Sequence, residues 1–187
     1  VSGNAISNLG LSRMASHLKC LKTLELSGNG SLGVLKGEKR DRNDFGDALC
    51  QLGPTLTSLT MLECYSMSSQ AVGDIGTSLS NLHQLALASK QISDQYLMKL
   101  ESLMPQMESL TLRGLPNGDT PFVHLLSLLG ERCETLSLRA CMGLSDASLC
   151  ALEKCTNLKV LHIGLCVLVT GTALSFLSQR LKCIVEL

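Results

Sequence analysis

The phrase Leu21-Lys-Thr-Leu24-Glu-Leu26-Ser-Gly-Asn29 has the form L-x-x-L-x-L-x-x-N, and the chain repeats it. It returns from Leu56 to Cys64, Leu82 to Lys90, Met107 to Leu115, Cys133 to Cys141 and Leu158 to Cys166. A partial copy, Ile184-Val-Glu-Leu187, follows. The starts at 21, 56, 82, 107, 133, 158 and 184 are spaced by 35, 26, 25, 26, 25 and 26 residues. A period held to one residue over five consecutive intervals means that each unit fits the same slot against its neighbour. A single irregular core does not impose that rhythm; a stack of similar units does.

Within each unit the L-x-L alternation reads as a short strand with its Leu side chains inward. The remainder carries helical spacing, as in Ser145-Asp146-Ala-Ser-Leu149-Cys-Ala-Leu152, where Ser145 or Asp146 is a helix cap. Further helices are expected at 95–103, 121–129 and 172–180. The expected architecture is therefore α/β, a leucine-rich-repeat solenoid forming a curved horseshoe segment. Its parallel sheet lies on the concave face and its helices on the convex face. Residues 1–187 form one such domain with about seven strand phases. Composition agrees: 40 of the 187 residues are Leu and none is Trp, so one packing solution is reused in each turn. Both ends fall mid-repeat, and they are expected to be continued by further repeats or covered by partners.

The run Cys141-Met-Gly-Leu144-Ser145-Asp146-Ala-Ser-Leu149 through Leu158-Lys-Val-Leu161-His-Ile163-Gly-Leu-Cys166 resembles the cysteine-containing subtype of leucine-rich repeat. That subtype is typical of F-box leucine-rich-repeat proteins. Ile92-Ser93-Asp94 and Leu144-Ser145-Asp146 match its helix-start signature, while no F-box is present. The resemblance implies a protein-recognition role, in its specific form the substrate-recognition arm of a ubiquitin-ligase complex. The position closing each phrase, held by Asn29, Cys64, Lys90, Leu115, Cys141 and Cys166, points inward at a tight bend. Asn and Cys suit that place; Lys90 and Leu115 do not, so their turns are expected to be irregular.

The long interval of 35 inserts about nine residues. Its segment from Lys36 to Asp44 is densely charged and has no apolar face, so a projecting loop is expected at about 31–45. Lys39, Arg40 and Arg42 are candidate contacts on that loop.

Several chemistries are disfavoured. Gly28-Asn-Gly30-Ser-Leu-Gly33 spells G-x-G-x-x-G, but a dinucleotide site also needs a helix opening there. Asn29-Gly-Ser31 is a glycosylation acceptor by pattern, yet its Asn is expected to be buried. The 16 Lys and Arg balance 16 Asp and Glu, which argues against nucleic acid as a partner. No apolar run is long enough for a membrane span. The nine cysteines are odd in number and contain no C-x-x-C pair, which suits free thiols in the cytoplasm or nucleus better than disulfides or zinc. Cys20, Cys133, Cys155 and Cys183 read as small core residues. Neither a metal nor a cofactor is expected.

Alternation fixes which strand residues face outward. One column is Glu25, Thr60, Ala86, Thr111, Ser137, His162 and Glu186; the next is Ser27, Leu62, Ala88, Arg113, Arg139 and Gly164. A row of Glu186, His162 and Ser137 has the residue types of a hydrolytic triad. Open parallel strands offer no water-excluding pocket, so a polar interaction surface is preferred and no enzyme is expected. Arg113 and Arg139 stack on adjacent turns, either paired to Glu108 and Glu134 or free to recognise a partner. Thr111, Arg113, Ser137, Arg139 and His162 form the expected contact strip for a protein partner. Two further readings stay open: a structural subunit of a large assembly, and a ligand-sensing or inhibitory domain of the immune-receptor or ribonuclease-inhibitor type.

Overall fold

The computed structural model describes residues 6–34 and 44–181. Six parallel strands form one sheet in the order of the sequence: β1 (Thr23–Glu25), β2 (Ser58–Met61), β3 (Gln84–Ala88), β4 (Ser109–Arg113), β5 (Thr135–Arg139) and β6 (Val160–Gly164). The first strand Leu of each turn is in register with the next, Leu24 to Leu59, Leu85, Leu110, Leu136 and Leu161. The seventh strand phase, near 184, and Lys39, Arg40 and Arg42 lie outside the described residues.

Among the described residues seven helices precede, connect and follow the strands: α1 (Asn8–Ala15), α2 (Asp44–Leu52), α3 (Ser69–Ser78), α4 (Asp94–Leu97), α5 (Asp119–Leu128), α6 (Asp146–Cys150) and α7 (Gly171–Arg180). Parallel neighbours joined in sequence order need crossovers, and crossovers of one hand put every helix on the same face. Successive helices accordingly pack against one another in chain order. The strand leucines and the helix residues Phe45, Ile75, Leu100, Phe122, Leu149 and Leu177 join one continuous core between the two layers. Two helices tighten part-way into 3₁₀ turns, Met98–Gln106 after α4 and Ala151–Lys154 after α6. A 3₁₀ turn rises about 2.0 Å per residue against 1.5 Å, so it spans the layer with fewer residues.

The helices start where the sequence marks them. Ser7, Ser68, Ser145 and Thr170 each cap a helix with the side-chain oxygen. The next residue ties the turn to its successor. Asn8 accepts from Gly33 N at 2.8 Å, and Ser69 accepts from Ser93 N at 3.0 Å. Asp94 accepts from the Asn117 amide at 2.8 Å, Asp119 from Ser145 N at 3.3 Å and from the Ser148 hydroxyl, and Asp146 from Thr170 N at 2.7 Å. At Ser93, Ser145 and Thr170 the donor is the backbone N–H of the residue that caps the next helix.

The strand exits are equally regular. Four residues beyond the first strand Leu, the backbone turns left-handed at Gly28, Glu63, Gly114, Ala140 and Leu165. The residue after each is buried: Asn29, Cys64, Leu115, Cys141 and Cys166. In the third turn Ser89 occupies that place without a positive φ. There Ser89 itself is buried, donating to the Met67 carbonyl at 3.2 Å, and Lys90 is exposed. The irregularity expected at Lys90 is present. That expected at Leu115 is not, because Gly114 supplies the left-handed residue and Leu115 fills the space as an apolar plug.

Other expectations are corrected. Leu32 and Gly33 are buried and Asp44 opens α2, with Phe45 in the core, so both flanks of the expected 31–45 loop belong to the packed structure. Cys20 is exposed rather than a core residue, whereas Cys133 and Cys155 are buried. Asn29, the acceptor of the glycosylation pattern, is fully buried, as its place in the repeat implies.

Two outcomes follow for stability. A Cβ built on Gly76 would run into the Lys99 carbonyl of the next turn, whereas one on Gly30 meets nothing within 4 Å. Gly76→Ala is expected to cost about 2 kcal/mol or more and Gly30→Ala almost nothing, read as urea midpoints. The Thr170 hydroxyl and then its backbone N–H hold the Asp146 carboxyl below the usual carboxylate range. A depressed folded-state pKa stabilises above the unfolded value of 3.8 and is lost as pH falls through the folded one. Hydrogen exchange at the Thr170 amide is expected to lose protection on acidification below that value, and Asp146→Ala to abolish the dependence.

Candidate protein-binding face

The face of the sheet turned away from the helices carries the side chains that the strands do not bury. In register across it run Glu25, Thr60, Ala86, Thr111, Ser137 and His162. The second column holds Ala88, Arg113, Arg139 and Gly164. The structure thus brings Thr111, Arg113, Ser137, Arg139 and His162 together on three adjacent strands. Ala88, expected outward, is fully buried.

Arg113 and Arg139 are in-register neighbours, and adjacent strands are about 4.8 Å apart. The expected pairings within their own strands do not form. Glu134 instead meets Lys159 of the next turn at 2.9 Å, and Glu108 meets His83 of the preceding turn at 3.7 Å. The reason is geometric: Glu108 and Glu134 stand at the strand starts and the arginines at the strand ends, so a partner one turn away is nearer. Among the described residues neither guanidinium makes an ion pair or a hydrogen bond. Two adjacent cations without counter-charges repel one another, at a modest cost on an exposed surface.

Arg139, Ser137, His162, Ile163, Gly164 and Leu165 line a depression of about 430 Å³ together with Leu138. Gly164 opens it, since a Cβ there would come within 3.6 Å of Arg139 Cγ. Beyond the arginine column lies an apolar rim that the strand pattern does not reveal. Met142 is 50% exposed, Leu165 67% and Val167 74%. Met142 and Val167 are equivalent residues of adjacent turns, each six beyond the first strand Leu. Tyr65, at the same place in the second turn, lies under Lys90 Nζ at 4.8 Å. The signal was available: large apolar residues recur at a place where no inward Leu is due.

A second, polar depression of about 600 Å³ lies at the strand starts, lined by Glu108, Glu131, Arg132, Glu134 and their neighbours. Among the described residues no group of three or more His, Cys, Asp or Glu side chains is placed to hold a metal ion. No helix of those residues is long and apolar enough to cross a membrane.

The cysteines serve the turns. Cys64 Sγ donates to the Leu26 carbonyl at 3.3 Å, Cys141 Sγ to Leu112 at 3.5 Å and Cys166 Sγ to Leu138 at 3.6 Å. In each case the acceptor belongs to the preceding turn. Burial pushes the Cys64 thiol up and the Cys141 thiol to about 12. Cys133 and Cys155 share a hydrogen bond in the core, which together with burial holds the Cys155 thiol well above its usual range.

No family model and no curated protein matches the chain. The chain is similar to a structure of the complex of Rad7 and Elc1 from yeast, with 17% identity and a TM-score of 0.40. That match covers 97% of this chain and 63% of the other, so the chain spans less than two thirds of the neighbour's length. Likeness at that level says nothing of what this chain binds.

Thiol chemistry distinguishes the structural cysteines from the rest. Brief alkylation near pH 8 followed by peptide mapping is expected to modify exposed Cys20 and Cys50 and to leave Cys64 and Cys141 intact.

Proposed function

We propose that the chain is a leucine-rich-repeat solenoid that acts as a protein-interaction scaffold, binding its partner on the strand-lined face and catalysing no reaction. The period of 25 or 26 residues and the in-register strands support the solenoid assignment. The observation that carries the binding assignment is the pair Arg113 and Arg139, left without counter-charges beside the hydroxyl and imidazole groups of Thr111, Ser137 and His162. Exposed like charges gain nothing for folding, and a partner's anion removes their repulsion. Arg is also the residue that contributes most often to interface energetics after the large aromatics.

The specific version is a substrate-recognition arm of a ubiquitin ligase in the cytoplasm or nucleus. It rests on the resemblance of the run from Cys141 to Cys166 to the cysteine-containing repeats of F-box proteins. Nine cysteines without a C-x-x-C pair suit such a reducing compartment.

Affinity purification from cell extract tests both levels. Wild type is expected to retain proteins that Arg113→Glu/Arg139→Glu loses, with both proteins showing the same thermal midpoint. Ubiquitin-ligase subunits among the retained proteins support the specific version. Identical partner sets overturn the proposed face.

A further inference from the structure

We infer that the partner presents an extended acidic segment in which carboxylate side chains alternate with apolar ones, and that Arg113 and Arg139 take the carboxylates while the Met142, Leu165 and Val167 rim takes the apolar side chains. The inference rests on the scaffold reading and names the chemistry of its ligand.

Charge selects the sign. Arg113 and Arg139 are in register on β4 and β5, with no ion pair or hydrogen bond to either among the described residues. Glu108 and Glu134, the acidic groups of the same two strands, are engaged at the opposite strand ends by His83 and Lys159. The ends of β4 and β5 are therefore locally cationic although the whole chain is neutral. A guanidinium offers a planar fork that matches a carboxylate with two parallel N–H donors.

Shape selects an extended segment over a point anion. The depression beside Arg139 measures about 430 Å³, more room than a single carboxyl group fills, and it continues onto Ile163 and Leu165. Leu165 is 67% exposed and sits in the left-handed conformation that fixes its backbone in place. Met142 and Val167 repeat the apolar surface one step further along adjacent turns. Charged and apolar surface thus lie in successive columns, the arginines three residues beyond the first strand Leu and Met142 and Val167 six beyond it. An extended chain puts successive side chains on alternate sides, so neighbouring acidic and apolar residues can reach the two columns from one backbone.

A phage-displayed library of random linear peptides tests the chemistry directly, panned on the wild-type chain and in parallel on Arg113→Gln/Arg139→Gln. Wild type is expected to enrich peptides with Asp or Glu next to Leu, Ile, Val, Met or Phe, and the variant to lose them. Synthetic copies of the enriched peptides should weaken about tenfold or more on the variant, and again when their Asp and Glu become Asn and Gln. Leu165→Asp should weaken them too, since Asp tolerates the left-handed backbone while placing an anion on the rim. Arg132→Gln, at the opposite strand ends, should leave binding unchanged. Enrichment of basic or uncharged peptides, equal binding to both proteins, or binding only when a phosphoserine replaces the Glu overturns the inference.

The outcomes separate it from the scaffold reading. Uncharged peptides that displace the cellular partners from the wild-type chain sink the acidic ligand and leave the scaffold standing. Acidic peptides that bind the arginine pair without displacing any cellular partner keep the ligand chemistry and remove the proposed function.

Discussion

The hydrogen bond from Cys64 Sγ back to the Leu26 carbonyl sets the terms for the whole molecule. The same link recurs from Cys141 to Leu112 and from Cys166 to Leu138. Each gives a carbonyl of the preceding turn a buried thiol donor, and at Leu26 the Asn29 amide donates to the same oxygen at 2.8 Å. The link reaches back one turn, while the residue that opens α1, α3, α4, α5 and α6 reaches forward one turn, as from Asp146 to Thr170. A turn is thus closed on one side by its predecessor and on the other by its successor. Because the bend can tolerate a left-handed Glu63, Ala140 or Leu165 only when the next residue is held inside, the strain and the bond that offsets it are adjacent in sequence.

The periodic part of this design is written in the sequence. The inward columns follow from the alternation of leucines, since a one-residue slip would turn every one of them to solvent. The outward columns follow by subtraction, and the strand pairing puts Thr111, Ser137 and His162 side by side as the alternation requires. Helix starts are legible because Ser and Thr oxygens accept backbone N–H groups in the first turn. What could not be read is whatever depends on the neighbouring turn. Glu134 finds Lys159 and not Arg139, because proximity across turns outweighs proximity along the strand. Ser89 replaces Lys90 at the inward place because a backbone dihedral, which no residue type spells out, differs there. Cys20 looks like a core cysteine by composition and is exposed because it precedes the first strand in a turn.

Charge is arranged more sharply than its balance suggests. Acidic groups gather at the strand starts, around Glu108, Glu131 and Glu134, where Lys159 and Arg132 accompany them. At the ends of β4 and β5 stand Arg113 and Arg139, which have no such company among the described residues. A chain of zero net charge thus sets two adjacent cations at the ends of β4 and β5, and on the proposed reading these attract the acidic groups of a partner. The apolar rim beyond the arginines then determines how closely that partner settles.

The one-turn reach of every tie has an evolutionary consequence. Loss or duplication of a complete unit leaves each remaining turn next to a neighbour with strand leucines at the same places. Change by whole units keeps the inward positions in line, whereas a deletion of one residue within a strand turns the inward residues of that turn to the other face. Length is thus easily altered and phase is not. The extra residues between Asn29 and Leu56 are accommodated because they fall between two turns, where phase is restored before Leu59 meets Leu24.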